Sequence, residues 1–194
     1  MSLLHIVLDS PATFEVTKTE LDNGMVSEPY VAIAHCIRAG LCISHALRNW
    51  VRIHIGFDYL GPQTLTLDPT TIRFLGTDER SILYIILRGQ RAKWDRKTKV
   101  PHGVTLSDVA IQDLLQSLLT EEPLFLIPGT QSTWKEQLAP GQAVVMYCPL
   151  FNNWDQGWSN AHSPKTFRRH ARCDLSILEV VHTLDSTRIG MQKD

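Results

Sequence analysis

The chain has 194 residues, 43% hydrophobic, 20% charged and 8% aromatic, with a formal net charge of −1. That length suffices for one domain with a real core, and the composition excludes a disordered, collagen-like or disulfide-scaffold protein. The charge is unevenly placed: residues 88–99 (RGQRAKWDRKTK) hold six Lys or Arg and one Asp, and residues 162–173 (HSPKTFRRHARC) hold four and no acid. The remaining 170 residues carry 9 cations against 19 acids, so segments of +5 and +4 sit on a body of −10. A phosphate-bearing partner is compatible with this total, because local potential governs such encounters. Solvated loops would carry the same charge equally well.

Residues 3–8 (LLHIVL) predict a buried first strand, closed by Asp9-Ser10-Pro11. Residues 9–28, with Pro, Asn-Gly and scattered acids, read as a loop. Tyr30, Ile33, Ala34, Ile37 and Leu41 recur at helical intervals and predict a helix over 30–47, and 50–57 (WVRIHIGF) alternates as a strand. Short strands at 64–67 and 71–75 precede a helix starting at Thr77, then an extended stretch Val104–Leu106. A helix over 107–119 follows, with Ser107 as N-cap and Asp108 in its first turn. Residues 123–127 (PLFLI) and 143–148 (AVVMYC) read as buried parallel strands, and 174–184 as a last helix capped by Asp174. Strands alternating with helices predict an α/β class, a mainly parallel sheet flanked by helices, in one domain spanning 1–194.

The four cysteines, Cys36, Cys42, Cys148 and Cys173, form no CxxC pair, which predicts no metal site and a reducing compartment. The start MSLLHIVLDS lacks the cationic segment of a signal peptide, and no apolar run approaches the length of about 18 residues that a membrane span needs. The expected location is cytoplasmic, without membrane or metal partners. No GxSxG, P-loop, GxGxxG or HExxH motif occurs.

Two stretches carry a resemblance. YVAIAHCIRAGLCISHALRNWVRIHIGF (30–57) runs as an apolar helix, then S-H-x-x-R at Ser44, His45 and Arg48, then an apolar strand. QTLTLDPTTIRFLGTDERSILYIILRG (63–89) runs as two short strands and a D-E-R-S helix start at Asp78, Glu79, Arg80 and Ser81. With helix 107–119 and the PLFLI strand in the same order, residues from about 30 to 127 resemble the TrmY family of SPOUT-class, trefoil-knotted tRNA pseudouridine N1-methyltransferases. The resemblance implies an S-adenosylmethionine cofactor, a homodimer, and tRNA or a small C-nucleoside as substrate. It makes Asp78, Arg80, Arg48 and His45 the catalytic candidates: the arginines would hold a phosphate or carbonyl, and Asp78 would accept from the base N–H. Glu79 then borders the substrate. Read without the resemblance, Asp78 and Glu79 are also what a helix start prefers.

The family encloses its cofactor with three C-terminal segments. The first matches Leu126-Ile127-Pro128-Gly129, which makes Ile127 and Gly129 cofactor candidates. At the second, Tyr147-Cys148-Pro149 stands where the family has a glycine followed by Asp-His. The I-S-L-G-P loop has no clear counterpart, and in the terminal helix Val181, His182, Leu184 and Asp185 echo the family, with Ile177 at its cysteine position and Cys173 one turn earlier. Glycine lets backbone approach a ligand, so Tyr147 is expected to crowd or reshape this pocket. That divergence opens an alternative, a SPOUT-fold enzyme acting on a small molecule as an isomerase or cyclase, with Phe151, Trp154 and Trp158 rebuilding the pocket or stacking on a planar ligand. A non-catalytic RNA-binding module using Arg168, Arg169 and Arg172 is the third reading.

Overall fold

Leu4, Ile6 and Leu8 alternate with His5, Val7 and Asp9, so the first strand sends a continuous apolar row to one face and a mixed row to the other. The computed structural model describes residues 3–10, 17–44, 46–58, 61–73, 75–95, 97–128, 134–150 and 173–191, the last five by backbone alone. In chain order the elements are β1 (Leu4–Asp9), α1 (Lys18–Asn23), α2 (Glu28–Leu41), β2 (Cys42–Ile43), β3 (Ala46–Leu47), β4 (Val51–Phe57), β5 (Gln63–Leu67), α3 (Glu79–Arg91), β6 (Val104–Ser107), α4 (Ile111–Leu119), β7 (Leu124–Leu126), α5 (Trp134–Gln137), β8 (Val144–Pro149) and α6 (Cys173–Met191).

The class is α/β, as expected, with a six-stranded sheet in the order β6-β5-β4-β1-β8-β7. β1 runs parallel to β4 and β8, and β7 parallel to β8, whereas β5 is antiparallel to both of its neighbours. One face is covered by α2, α3 and α6, where Ile6, Ile33, Ile37, Ile53, Ile86 and Ile177 are among the buried core. On the other face α4 packs Ile111 and Leu115 against Val7, Val145 and Tyr147. Gly56 makes that contact possible, because a Cβ there would lie 2.6 Å from the Cβ of Ile111.

Several boundaries depart from the sequence expectations. The helix expected over 30–47 ends at Leu41, and a short antiparallel hairpin of β2 and β3 follows it. The stretch expected to be a loop contains α1, whose Thr17 and Glu20 form a reciprocal capping box. Residues 71–73 are not a strand; the Asp68 carboxylate accepts from Thr70 N and turns the chain there. α3 begins at Glu79, capped by Asp78, and not at Thr77. α4 begins at Ile111, since Ser107 closes β6 and donates its hydroxyl to Thr64 O, while Asp108 pairs with Lys93. Asp174 lies inside the first turn of α6 instead of preceding it.

Candidate functional site

β1, β4, β7 and β8 end on one edge of the sheet, at Asp9, Phe57, Leu126 and Pro149. Ligands of parallel α/β sheets settle at such carboxyl-terminal edges. The ladder between β7 and β8 closes at Leu126–Met146, whereas β8 stays paired with β1 through Asp9–Pro149. Residues 147–149 therefore run beyond the end of β7 and stand next to Ile127.

Side chains alternate along β8, so Tyr147 and Cys148 go to opposite faces. Tyr147 is turned under α4, and its hydroxyl donates to Asp9 Oδ2 at 2.6 Å. Gln112 Nε2 donates to the same oxygen at 3.3 Å. Burial, with the Asp9 carboxylate beside it, pushes the Tyr147 phenol far up, so the group is a neutral donor at any ordinary pH. Tyr147 is thus turned toward α4 and away from the α6 side of the edge.

Cys148 faces α2 and α6, where Cys36 and Cys173 are also buried. Burial raises the Cys36 and Cys148 thiols. The Cys148 S–H donates to the Cys173 sulfur, and that bond holds Cys173 below the usual thiol range. Cys173 Sγ lies 3.8 Å from Pro149 O, which fastens the start of α6 to the end of β8. Ile177, one turn further along, is buried next to Gly40. Cys148, Pro149 and Cys173 thus meet where the end of β8 reaches α6, with Ile127 continuing β7 alongside, whereas Tyr147 lies on the α4 face and Ile177 one turn down beside Gly40.

Arg48 stands elsewhere. It precedes β4, where Trp50 O accepts from Leu4 N, and so lies at the opposite edge of the sheet. Its side chain is 4% exposed, with Nε donating to Asp185 Oδ2 at 3.0 Å. Nη1 donates to the carbonyls of Ala39, Gly40 and Cys42 at 3.2, 3.2 and 3.0 Å. Arg48 thereby satisfies the C-terminal carbonyls of α2 and ties them to α6. Cys173 and Asp185 are twelve residues apart on α6, which separates Arg48 from the strand ends by about 18 Å of helix.

Asp78 caps α3: Oδ1 accepts from Ser81 N at 2.8 Å and Oδ2 from Ser81 Oγ at 2.6 Å. Those bonds hold its carboxyl below the ordinary range. Arg80 pairs with Asp22 of α1, and Glu79 Oε2 is 3.8 Å from His35 Nε2 of α2. The other end of α3 is the one near the strand ends, since Gln90 Nε2 donates to Tyr30, whose ring stacks on Phe57. The candidates therefore divide into a strand-end group and a separate group around Arg48 and the α3 start. His45, Gly129, Phe151, Trp154, Trp158, Arg168, Arg169 and Arg172 lie outside the described residues.

A polar chain unmarked by any motif crosses the α4 face. His5 Nδ1 and His54 Nε2 are 2.9 Å apart, and His54 Nδ1 is 2.9 Å from Thr66 Oγ1. Burial lowers both imidazoles, His54 to about 3, so the pair is neutral near pH 7.

Compared with known proteins, the chain matches no family model and no curated protein. Among the described residues, no helix is long and apolar enough to cross a membrane.

Proposed function

We propose that the chain is an S-adenosylmethionine-dependent methyltransferase of the SPOUT class, similar to the TrmY family, that methylates N1 of pseudouridine in tRNA or a related C-nucleoside. The observation that carries this reading is the meeting of the two strand-end segments the resemblance singles out with the start of the terminal helix: Ile127 beside 147–149, and Cys173 against Pro149. An adenosyl group would meet half-buried Ile127 and the backbone of 147–149, which continues past the β7 ladder, whereas Cys148 and Ile177 are fully buried and would support the site from beneath. When bound, the cofactor would supply an electrophilic methyl group. The trefoil knot that this reading entails would involve residues 151–172, outside the described chain.

This chain's own contribution is to position the base and take up its N1 proton. Asp78 is the carboxylate the motif points to, yet both its oxygens serve the α3 cap. Asp9 is the carboxylate on the strand-end edge, oriented by Tyr147 and Gln112 through one oxygen. In this reading Asp9 accepts the proton, and Tyr147, which keeps its own, holds the acceptor in place. Arg80 would act on a substrate only across a homodimer, since within one chain it is remote from this edge, and buried Arg48 serves the α2–α6 junction. Leu175 and Leu178, 53% and 38% exposed on α6, supply apolar surface for a second copy.

The test is methyl transfer from labelled S-adenosylmethionine to pseudouridine-containing tRNA, with cofactor binding measured by calorimetry. Transfer is expected with unmodified protein and is lost in Asp9→Asn. Absence of both transfer and cofactor binding rejects the reading.

A further inference from the structure

Described residues of the segment 88–99 singled out by its charge line a half-open cleft. Lys18, Arg88, Arg91, Lys97 and Lys99 line it, with Tyr84 and Leu87 forming an apolar side, and its volume is about 440 Å³. Among the described residues, no acidic side chain lines it. The wall is built rather than loose: Arg88 Nη2 donates to Lys99 O at 3.4 Å, and the Asp95 carboxylate accepts from Lys97 N at 3.0 Å and Thr98 Oγ1 at 2.6 Å. Asp95 is thus occupied in shaping the turn that carries the lysines. Asp22 pairs with Lys18 and with Arg80 and so offsets the Lys18 charge, and the cationic character of the cleft rests on Arg88, Arg91, Lys97 and Lys99.

Part of this charge has a simple local origin, because Arg88 and Arg91 in the last turn of α3 complement the negative end of the helix dipole. That account does not extend to Lys97 and Lys99, which follow the helix. Nor does it explain Tyr84, a large ring 45% exposed on the wall of the cleft. Cations alone would serve any anion, whereas cations beside an exposed ring suit phosphates attached to a planar base. The volume lies within the range of about 300–1,000 Å³ of small-ligand sites, enough for one nucleotide.

We propose that this cleft is a nucleotide-binding site. Lys97, Lys99, Arg88 and Arg91 hold the phosphates, and the base lies on the Tyr84 ring. The nucleotide is either a free nucleoside polyphosphate or one unit of a single-stranded RNA. The cleft shares no residue with the Asp9–Tyr147–Cys173 edge and needs no methyl-donating cofactor, so it stands or falls apart from the methyltransferase reading.

The experiment titrates the full chain with a fluorescent oligouridylate, a nucleoside triphosphate and inorganic tripolyphosphate, at low and near-physiological salt. The salt-sensitive binding expected of the nucleotide probes falls at least tenfold in the double variant Lys97→Glu, Lys99→Glu. Both lysines are exposed, so this variant should fold, which circular dichroism checks. Tyr84→Ala weakens the nucleotide probes about five-fold or more, as loss of one base–aromatic stack does, and leaves tripolyphosphate unchanged. Lys135→Glu, on α5, changes nothing. Tighter binding of the oligonucleotide assigns the strand as the source, and tighter binding of the triphosphate assigns the free nucleotide. Absence of binding at low salt, binding indifferent to the lysine reversals, or nucleotide affinity untouched by Tyr84→Ala overturns the proposal.

Discussion

The Arg48 guanidinium joins the end of α2 to Asp185 of α6, with one nitrogen on the carboxylate and another on three main-chain carbonyls. Removing it would strand buried acceptors and a half-buried anion together. Arg48→Ala is expected to lower stability by about 3 kcal/mol, the range for breaking a buried pair from one side. Asp185→Asn should cost less, because Asp185 retains solvent contact. Urea unfolding of both variants measures this. A normal urea midpoint in Arg48→Ala, coupled to lost activity, would return Arg48 to the substrate role its motif implied.

The paired imidazoles give stability a particular pH dependence. His54 is lowered from 6.5 to about 3 and His5 is lowered as well, both chiefly by burial. Between those values the unfolded chain binds protons that the folded chain refuses, so stability falls as pH drops below about 6.5. The slope attributable to His54 is at most about 1.4 kcal/mol per pH unit. His54→Gln, which keeps hydrogen-bonding capacity without titrating near neutrality, should flatten the curve between pH 7 and 5 in urea melts.

Two glycines should respond unequally to alanine. At Gly56 the new methyl meets the Cβ of Ile111, which cannot move without α4. The expected loss is about 1–3 kcal/mol, with faster hydrogen exchange across α4. At Gly40 the nearest atom is Ile6 Cδ1, the free end of a flexible chain, at 2.7 Å. There the entropic gain from replacing a helical glycine, about 0.5–1 kcal/mol, offsets much of the crowding. Equal losses at both sites would contradict the packing described.

Tyr147→Phe removes the hydroxyl that donates to Asp9 and should cost about 1.5–3 kcal/mol, the worth of a hydrogen bond to a charged group. In an alkaline absorbance titration of the native protein, Tyr147 should be absent from the early-ionising tyrosines, and the variant should leave that early phase intact.

Strand and helix types were readable wherever apolar spacing was strong: LLHIVL, WVRIHIGF, AVVMYC and the Ile82–Leu87 stripe all became the expected elements. Boundaries failed where a polar side chain decides them. Thr17 and Glu20 cap α1 with a signature visible in the sequence, yet the surrounding Pro and Asn-Gly pointed to a loop. Ser107 looks like an N-cap until β6 claims it for pairing with β5. At the candidate site, the segments around Ile127, Tyr147 and Ile177 were legible through the resemblance. Their partners, Asp9 and Cys173, needed the register of β1 against β8, which no local pattern encodes. The same holds for His5 and His54, 49 residues apart and joined only by strand pairing.

The position of β8 between β1 and β7 also orders events in time. Leu4 pairs with Val144, so one flank of the first strand has no partner until most of the chain has been synthesised. Before then β1, β4, β5 and β6 can assemble with α2 and α3, leaving the β1 edge open to foreign strands. The nascent protein therefore carries its greatest aggregation hazard just before β8 emerges, and substitutions that delay β8 docking should reduce soluble yield more than they reduce final stability.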